Sequence, residues 1–304
     1  MCKKVNVILS TYNGERYLRK LLDSIVAQDY PNIQICIRDD GSTDNTKNII
    51  QEYVEAYDNI QFIDETGNLG VPKSFYSLLK KCNDADYYAF ADQDDIWENK
   101  KISRAVEKLE KFNSILPNMY CASFDYVDNN GDSLRQFSMP VKVDIYNSLY
   151  YTPALGFTLV FNEALRKMAV DDIELIDRDF YGELHDRRLI RIAAIWGNVI
   201  CDNYVCAKHI RHEEAVTSAD STNWNLVKNW IKNEILGEDI IKQKKGIQLF
   251  YEDYKSILDE KEKNIMDLFV QNGNRIKKIF FSHRLRSRAS GELALRLLFF
   301  IGKI

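Results

Sequence analysis

Over the first third of the chain the apolar residues switch repeatedly between a continuous run and a helical period, and few folds accommodate that alternation. Val5 to Leu9 is β-branched and apolar and ends in Ser10-Thr11-Tyr12-Asn13-Gly14, after which Leu18, Leu21, Leu22, Ile25 and Val26 recur at helical spacing. Ile33 to Ile37 predicts a second strand, ending at Asp39-Asp40-Gly41-Ser42-Thr43-Asp44, and Ile49, Ile50, Tyr53 and Val54 give its helix an apolar stripe. A third strand, Ile60 to Ile63, runs into Asn68-Leu69-Gly70-Val71-Pro72, and a helix through Phe75, Leu78 and Leu79 follows. The fourth, Tyr87-Tyr88-Ala89-Phe90, ends at Asp92-Gln93-Asp94-Asp95. Strands and helices of these lengths imply an α/β fold, with a mostly parallel central sheet, helices on both faces and right-handed crossovers.

The polar strand ends should then lie side by side at the carboxyl edge, where open α/β sheets bind ligands. Asp92, Asp94 and Asp95 repel one another, a cost that a cation would offset; hard oxygen ligands suit Mg²⁺ or Mn²⁺ holding a diphosphate. The plain alternative is a solvated acidic turn capping the helix that starts near Glu98. Tyr12 can stack on a base, Asp39 can accept an imide N–H, and Asn68 with Gly70 can let backbone approach a ribose or phosphate. Taken singly these stretches also read as ordinary turns; arriving in order, they suggest a nucleotide site. No G-x-G-x-x-G follows the first strand and no G-x-x-x-x-G-K-[ST] occurs, which argues against a dinucleotide fold and a P-loop.

The formal net charge is -4 over 304 residues, unevenly spread. Residues 275–304 hold eight Lys/Arg against Glu292 alone, about +7, which leaves roughly -11 for the rest. Such a body is a poor partner for nucleic acid, whereas an anionic membrane surface suits the tail, where Ile276, Phe280, Leu293, Leu297 and Phe299 alternate with the basic residues. The longest apolar run, Leu293 to Ile301, is broken by Arg296 and is too short to span a bilayer, so packing on the body or on a second subunit is the other reading. Truncation at Gly273 should then remove membrane attachment and leave the rest of the chain folded. The six cysteines form no C-x-x-C pair and several fall in expected strands, as small buried hydrophobes do. With no secretory signal before Val5, a reduced, cytoplasmic setting is expected.

In the second half we expect a helix from about Lys100 to Phe112, a strand from Met119 to Phe124, and a hairpin turn at Asp128-Asn129-Asn130-Gly131-Asp132. A strand over Gly156 to Asn162, a helix from Glu163, and another opened by Glu183-Leu184-His185-Asp186-Arg187-Arg188 follow. Val199 to Cys201 and Tyr204 to Ala207 read as short strands leading to Lys208-His209-Ile210-Arg211-His212, and from Trp224 onward the pattern is helical.

Thr11-Tyr12-Asn13, Asp39 to Asp44, Asn68-Leu69-Gly70 and Asp92 to Asp95 resemble the successive motifs of family 2 glycosyltransferases, which have the GT-A fold. Phe90 to Trp97 is especially similar to rhamnosyltransferases that build bacterial cell-wall and capsular polysaccharides. The resemblance covers about residues 3–217. It implies a catalytic domain over 1–222, split into a nucleotide-binding half (1–97) and an acceptor half (98–222), with a helical region over 223–304. By the same resemblance Thr11, Tyr12, Asn13, Asp39, Asp40, Asn68, Gly70, Lys73, Asp92, Gln93 and Arg211 bind the nucleotide-sugar, and Asp94, Asp92 and His212 hold the metal. Asp186 would be the general base, with Glu183 as fallback. The chain departs from the pattern at Arg187-Arg188, where aromatic residues are expected, and at Glu213-Glu214, where Gly-Asn is expected. The implied activity is inverting transfer, with dTDP-L-rhamnose as donor and a saccharide acceptor, lipid-linked or not; an oligomer stays open. A sugar nucleotidyltransferase would want a Gly-rich, basic loop after the first strand, which is absent. A binding module with a decayed site remains the third reading.

Overall fold

In the computed structural model, residues 2–65, 67–171, 174, 178–210, 239–271 and 273–304 are described. Among them, β1 (Val5–Thr11), β2 (Ile33–Asp39), β3 (Ile60–Phe62) and β4 (Tyr87–Ala91) form the parallel half of one sheet. The crossover helices are α1 (Leu18–Val26), α2 (Thr46–Ala56) and α3 (Val71–Lys81). β1 runs between β2 and β4, with Leu9 level with Ile37 and Ala91. Covered on both faces, it is buried along nearly its whole length instead of alternating, with Asn6 as a buried polar residue within it.

The remaining strands are β5 (Asp95–Trp97), β6 (Asn118–Val127), β7 (Ser133–Phe137), β8 (Leu159–Asn162) and β9 (Asn198–Ile210). The sheet order is β3-β2-β1-β4-β8-β6-β9-β5, with β7 paired to β6. β8 is antiparallel to both β4 and β6, β6 and β9 are parallel, and β5 returns antiparallel on β9. The helices here are α4 (Lys101–Leu109), α5 (Ile145–Leu149), α6 (Glu163–Val170) and α7 (His185–Trp196). Three local expectations change. Gly156–Thr158 is a 3-10 turn, so the strand begins only at Leu159. The two short strands after Trp196 are one, bulged beside Ala122 and Ser123. The residues after Asp94 form strand β5 instead of leading straight into a helix.

Alternate residues of the strands feed two cores. Val5, Val7, Leu9 and Ala89 pack with α1, α2 and α4, while Ile8, Tyr88 and Phe90 pack with α3, α6 and α7. The second core continues into α8 (Asp239–Tyr254), α9 (Glu260–Val270), α10 (Arg275–Ile279) and α11 (Ala289–Ile301), through Ile247, Phe250, Phe269, Leu295 and Leu298. The expected C-terminal helices are therefore built onto the sheet; the expected boundary at 222/223 lies outside the described residues. A seam fixes α8 to the segment before α7. At Gly182, φ is +85°, and a Cβ there would sit 1.9 Å from the Lys242 carbonyl oxygen; one on Gly246 would sit 2.4 Å from that of Gly182. Beside it, buried Glu183 accepts from Arg188 at 2.9 Å and Arg178 at 3.3 Å, and both arginines also reach Asp253. All six cysteines are free, and four of them are buried.

Candidate active site

Loops following all four parallel strands meet at one edge, tied together by polar side chains. Asn13, at φ 47°, donates its N–H to Ser42 Oγ at 2.8 Å and accepts from Thr43 N at 2.9 Å; Gly14 N donates to Thr46 Oγ1 at 2.8 Å. Asp39 is buried and accepts from Thr11 Oγ1 (3.1 Å), Ser42 N (2.9 Å) and Gly41 N (3.2 Å). Asp40 accepts from Leu69 N (2.8 Å) and Gly70 N (2.9 Å) and pairs with fully buried Arg38, which also donates to Gly67 O at 2.9 Å. Asn68 Oδ1 accepts from Gly70 N at 3.1 Å, and Gly70 adopts φ 76°. Gln93 is used as a clamp: its amide oxygen accepts from Tyr12 N at 2.8 Å and its amide nitrogen donates to Tyr12 O at 2.9 Å. Gly14 lies directly under it, since a Cβ there would be 2.5 Å from Gln93 Oε1. The Tyr12 ring is left half exposed, as a base-stacking side chain would be. Lys73 stands in the first turn of α3, partly buried.

The acids after β4 divide their tasks. Asp92 keeps some open surface, yet burial, then Asp95, Asp94 and Asp186, push its carboxyl well above the usual range. Asp95 is buried at the start of β5, whose register sets it opposite His209 on β9. Its Oδ1 meets His209 Nδ1 at 2.7 Å, its Oδ2 is buried with no partner, and burial raises its pKa to about 6. Burial alone would lower the His209 pKa; the hydrogen bond and the charge of Asp95 outweigh it, so the net direction is up. The ring stacks on Phe157 at 5.3 Å and 8°. Asp94, Asp95 and His209 offer ligand atoms all within 4.8 Å of one another. Two carboxylates and an imidazole, with an orphaned carboxylate oxygen among them, suit Mg²⁺ or Mn²⁺.

Asp92, expected as a ligand, lies beside this trio and is not one of it. Arg211 and His212 lie outside the described residues. Asp95, read in the sequence as one of three mutually repelling acids but not assigned to the metal, joins the ligand candidates here, and His209 is one the sequence reading passed over. Running the strand on to Ile210 would have put His209 in β9, between β6 and β5, but its pairing with Asp95 leaves no local signal. Lys101 was passed over too: fully buried, it donates to the Phe157 carbonyl and lies 3.4 Å over the Trp97 ring. Burial lowers its pKa to about 8, against the pull of Cys206, Asp95 and Asp92.

Opposite these acids, α7 brings in Asp186, buried, with Oδ1 accepting from Arg187 N at 2.7 Å. The 3-10 turn backs it: a Cβ on Gly156 would lie 3.1 Å from His185 Nε2 and 3.7 Å from the Asp186 Cβ. His185 is stacked on Phe75 at 4.0 Å and edge-on to Phe90 at 4.7 Å, with both ring nitrogens unpartnered, and burial lowers its pKa to about 4. Glu183 is fully enclosed in its arginine pairs.

Residues 6–173, more than half of the chain, match Glycosyl transferase family 2. The chain belongs to this family. The dTDP-rhamnosyl transferase RfbG of Shigella flexneri is 43% identical over 105 residues, 33% of this chain and 36% of RfbG. S. aureus TarS 1-349 superimposes with TM-score 0.60 at 19% identity, covering 98% of this chain and 80% of that one; its UDP-GlcNAc complex gives 0.58, with 98% and 92% covered. The mannosyltransferase PcManGT from Pyrobaculum calidifontis, in complex with GDP-Man and Mn²⁺, gives 0.52 at 14% identity, covering 100% and 89%. At these identities the solved structures speak to the fold, which is the GT-A arrangement expected. The chain spans less than half the length of the curated family members it matches.

Proposed function

We propose that this protein is an inverting, metal-dependent glycosyltransferase that moves a sugar, L-rhamnose from dTDP-L-rhamnose, to a saccharide acceptor in polysaccharide synthesis. One observation carries the reading: Asp94, Asp95 and His209 bring their ligand atoms within 4.8 Å of one another just beyond the carboxyl end of β4, at the edge where the loops after the parallel strands meet. Family membership supports the reaction class, and RfbG, a dTDP-rhamnosyl transferase by name, supports the donor. Asp94, Asp95 and His209 would hold the cation, with Asp92 beside them. A divalent ion there would supply positive charge to the leaving diphosphate. The half-exposed Tyr12 ring would stack on the base, with Asp39 beneath it. Asp186 would take the acceptor hydroxyl proton; Glu183, held by two arginines, fits a structural part better. Such proton transfer is worth about 10² to 10⁴-fold in rate.

A panel of nucleotide-sugars with Mg²⁺ or Mn²⁺ tests the donor by nucleotide release; no turnover of any would sink the enzymatic reading. Asp186→Asn should keep donor affinity and lower transfer at least about 100-fold. Should Glu183→Gln abolish transfer in a folded protein while Asp186→Asn does not, the base is misassigned.

A lipid-linked acceptor fits the tail. Helix α11 buries Ala294, Leu295, Leu298 and Phe299 but leaves Leu293 (69%), Phe300 (68%) and Ile301 (52%) exposed, and Phe280, just after α10, is exposed as well (80%). With Arg284, Arg286 and Arg288 preceding the helix, that face suits an anionic membrane surface on the cytoplasmic side. Among the described residues no helix is long and apolar enough to cross a membrane.

A further inference from the structure

Two arginines follow the proposed base, and they are used in opposite ways. Arg188 is buried and bound to Glu183 and Asp253. Arg187 is only partly buried, and among the described residues no carboxylate lies within ion-pair distance of its guanidinium. Its Nε donates to Thr152 Oγ1 at 2.8 Å, which fixes the plane of the group, while among the described residues its terminal nitrogens make no hydrogen bond and are not sealed from solvent. One turn on, Arg191 is 1% exposed; its Nε and Nη2 are spent on the carbonyls of Ser148 and Leu149, and its Nη1 is buried with no partner.

Burial lowers both arginine pKa values, and only carboxylates beyond contact distance, Asp186 among them, offset this for Arg187. A guanidinium in that state is stabilised by an anion, and its planar fork matches phosphate or carboxylate in a two-pronged geometry. The neighbourhood belongs to the acceptor side: Arg187 adjoins Asp186 on α7 and is anchored to the segment after α5, whereas the nucleotide loops follow β1 to β4.

Building on the glycosyltransferase reading, we propose that the acceptor carries an oxyanion, phosphate or carboxylate, which Arg187 grips beside the hydroxyl that Asp186 deprotonates. Arg187 would thereby select charged saccharides over neutral ones.

The test uses the full chain and four probes: dTDP with Mn²⁺, methyl glucoside, methyl glucoside 6-phosphate and methyl glucuronide, each titrated by ligand-observed NMR. The charged saccharides should bind at least about tenfold more tightly than methyl glucoside, with the preference between them naming the anion. Arg187→Gln should remove that preference and leave dTDP binding unchanged, and Thr152→Val, a milder change, should weaken it. Equal binding of charged and neutral probes, or binding of neither, overturns the proposal. So does a loss of dTDP affinity in Arg187→Gln, which would move the guanidinium to the donor. Failure of the wild-type chain to bind dTDP would count against the glycosyltransferase reading instead.

Discussion

Asp95 is gripped on one side by His209 and left bare on the other, which is how a carboxylate waiting for a cation would stand. Nearby Asp94 brings a second carboxylate, so Asp94→Asn keeps the shape and removes a charge. We expect that variant to bind Mn²⁺ about 10 to 100-fold more weakly and to lose metal-supported dTDP binding; calorimetry showing wild-type affinities would refute the ligand set. His185 offers a second prediction. Above pH 6.5 it is neutral whether folded or not; below, the unfolded chain protonates while the folded one resists until about pH 4. The unfolded state therefore binds more protons in that window, and stability falls as pH falls, by on the order of 3 kcal/mol in total. His185→Phe should flatten the loss between pH 6.5 and 4 in urea titrations, and an unchanged pH slope would refute the assignment. The acids were legible because three of them follow an apolar strand. His209 was not, because its role depends on a strand pairing with Asp95 that no local pattern announces.

Helix α11 was legible as an amphipathic mixture but not as a two-sided element. Arg296 on this helix and Lys278 on the neighbouring α10, two of the eight basic residues, turn inward: Lys278 is 1% exposed and Arg296 binds Glu292 and the carbonyl oxygens of Ile279 and His283. The apolar residues divide likewise, and substitutions on the two sides should separate. Leu298→Ala, on the packed side, should cost about 2 to 5 kcal/mol of stability. Phe300→Glu, on the open side, should leave the melting temperature nearly unchanged and weaken sedimentation with anionic vesicles, more so in salt. If Phe300→Glu binds vesicles like wild type, that face has another partner. At Gly156–Thr158 a run that reads as strand becomes a 3-10 turn where it passes His185, a tertiary contact that outweighs propensity.

Across the whole molecule, the alternation over the first third foretold the parallel half of the sheet and its edge of loops, because each strand and its helix are close in sequence. The attachment of the C-terminal helices depends on contacts between distant segments. Removing residues 274–304 would take Leu285, Leu295, Leu298, Phe299 and Ile304 out of one core. At about 1.5 to 3 kcal/mol each, that rivals the 5 to 15 kcal/mol stability of a typical domain. We therefore expect the chain truncated at Gly273 to lose cooperative unfolding by circular dichroism, in place of the folded body that the sequence alone suggested; a sharp transition near the wild-type temperature would show the helices to be dispensable. The Gly182–Gly246 seam carries this further, into what recombination can do with the gene. Two backbones in contact leave room for no side chain from either parent, so a crossover between residues 182 and 246 yields a viable hybrid only when both donors encode glycine there.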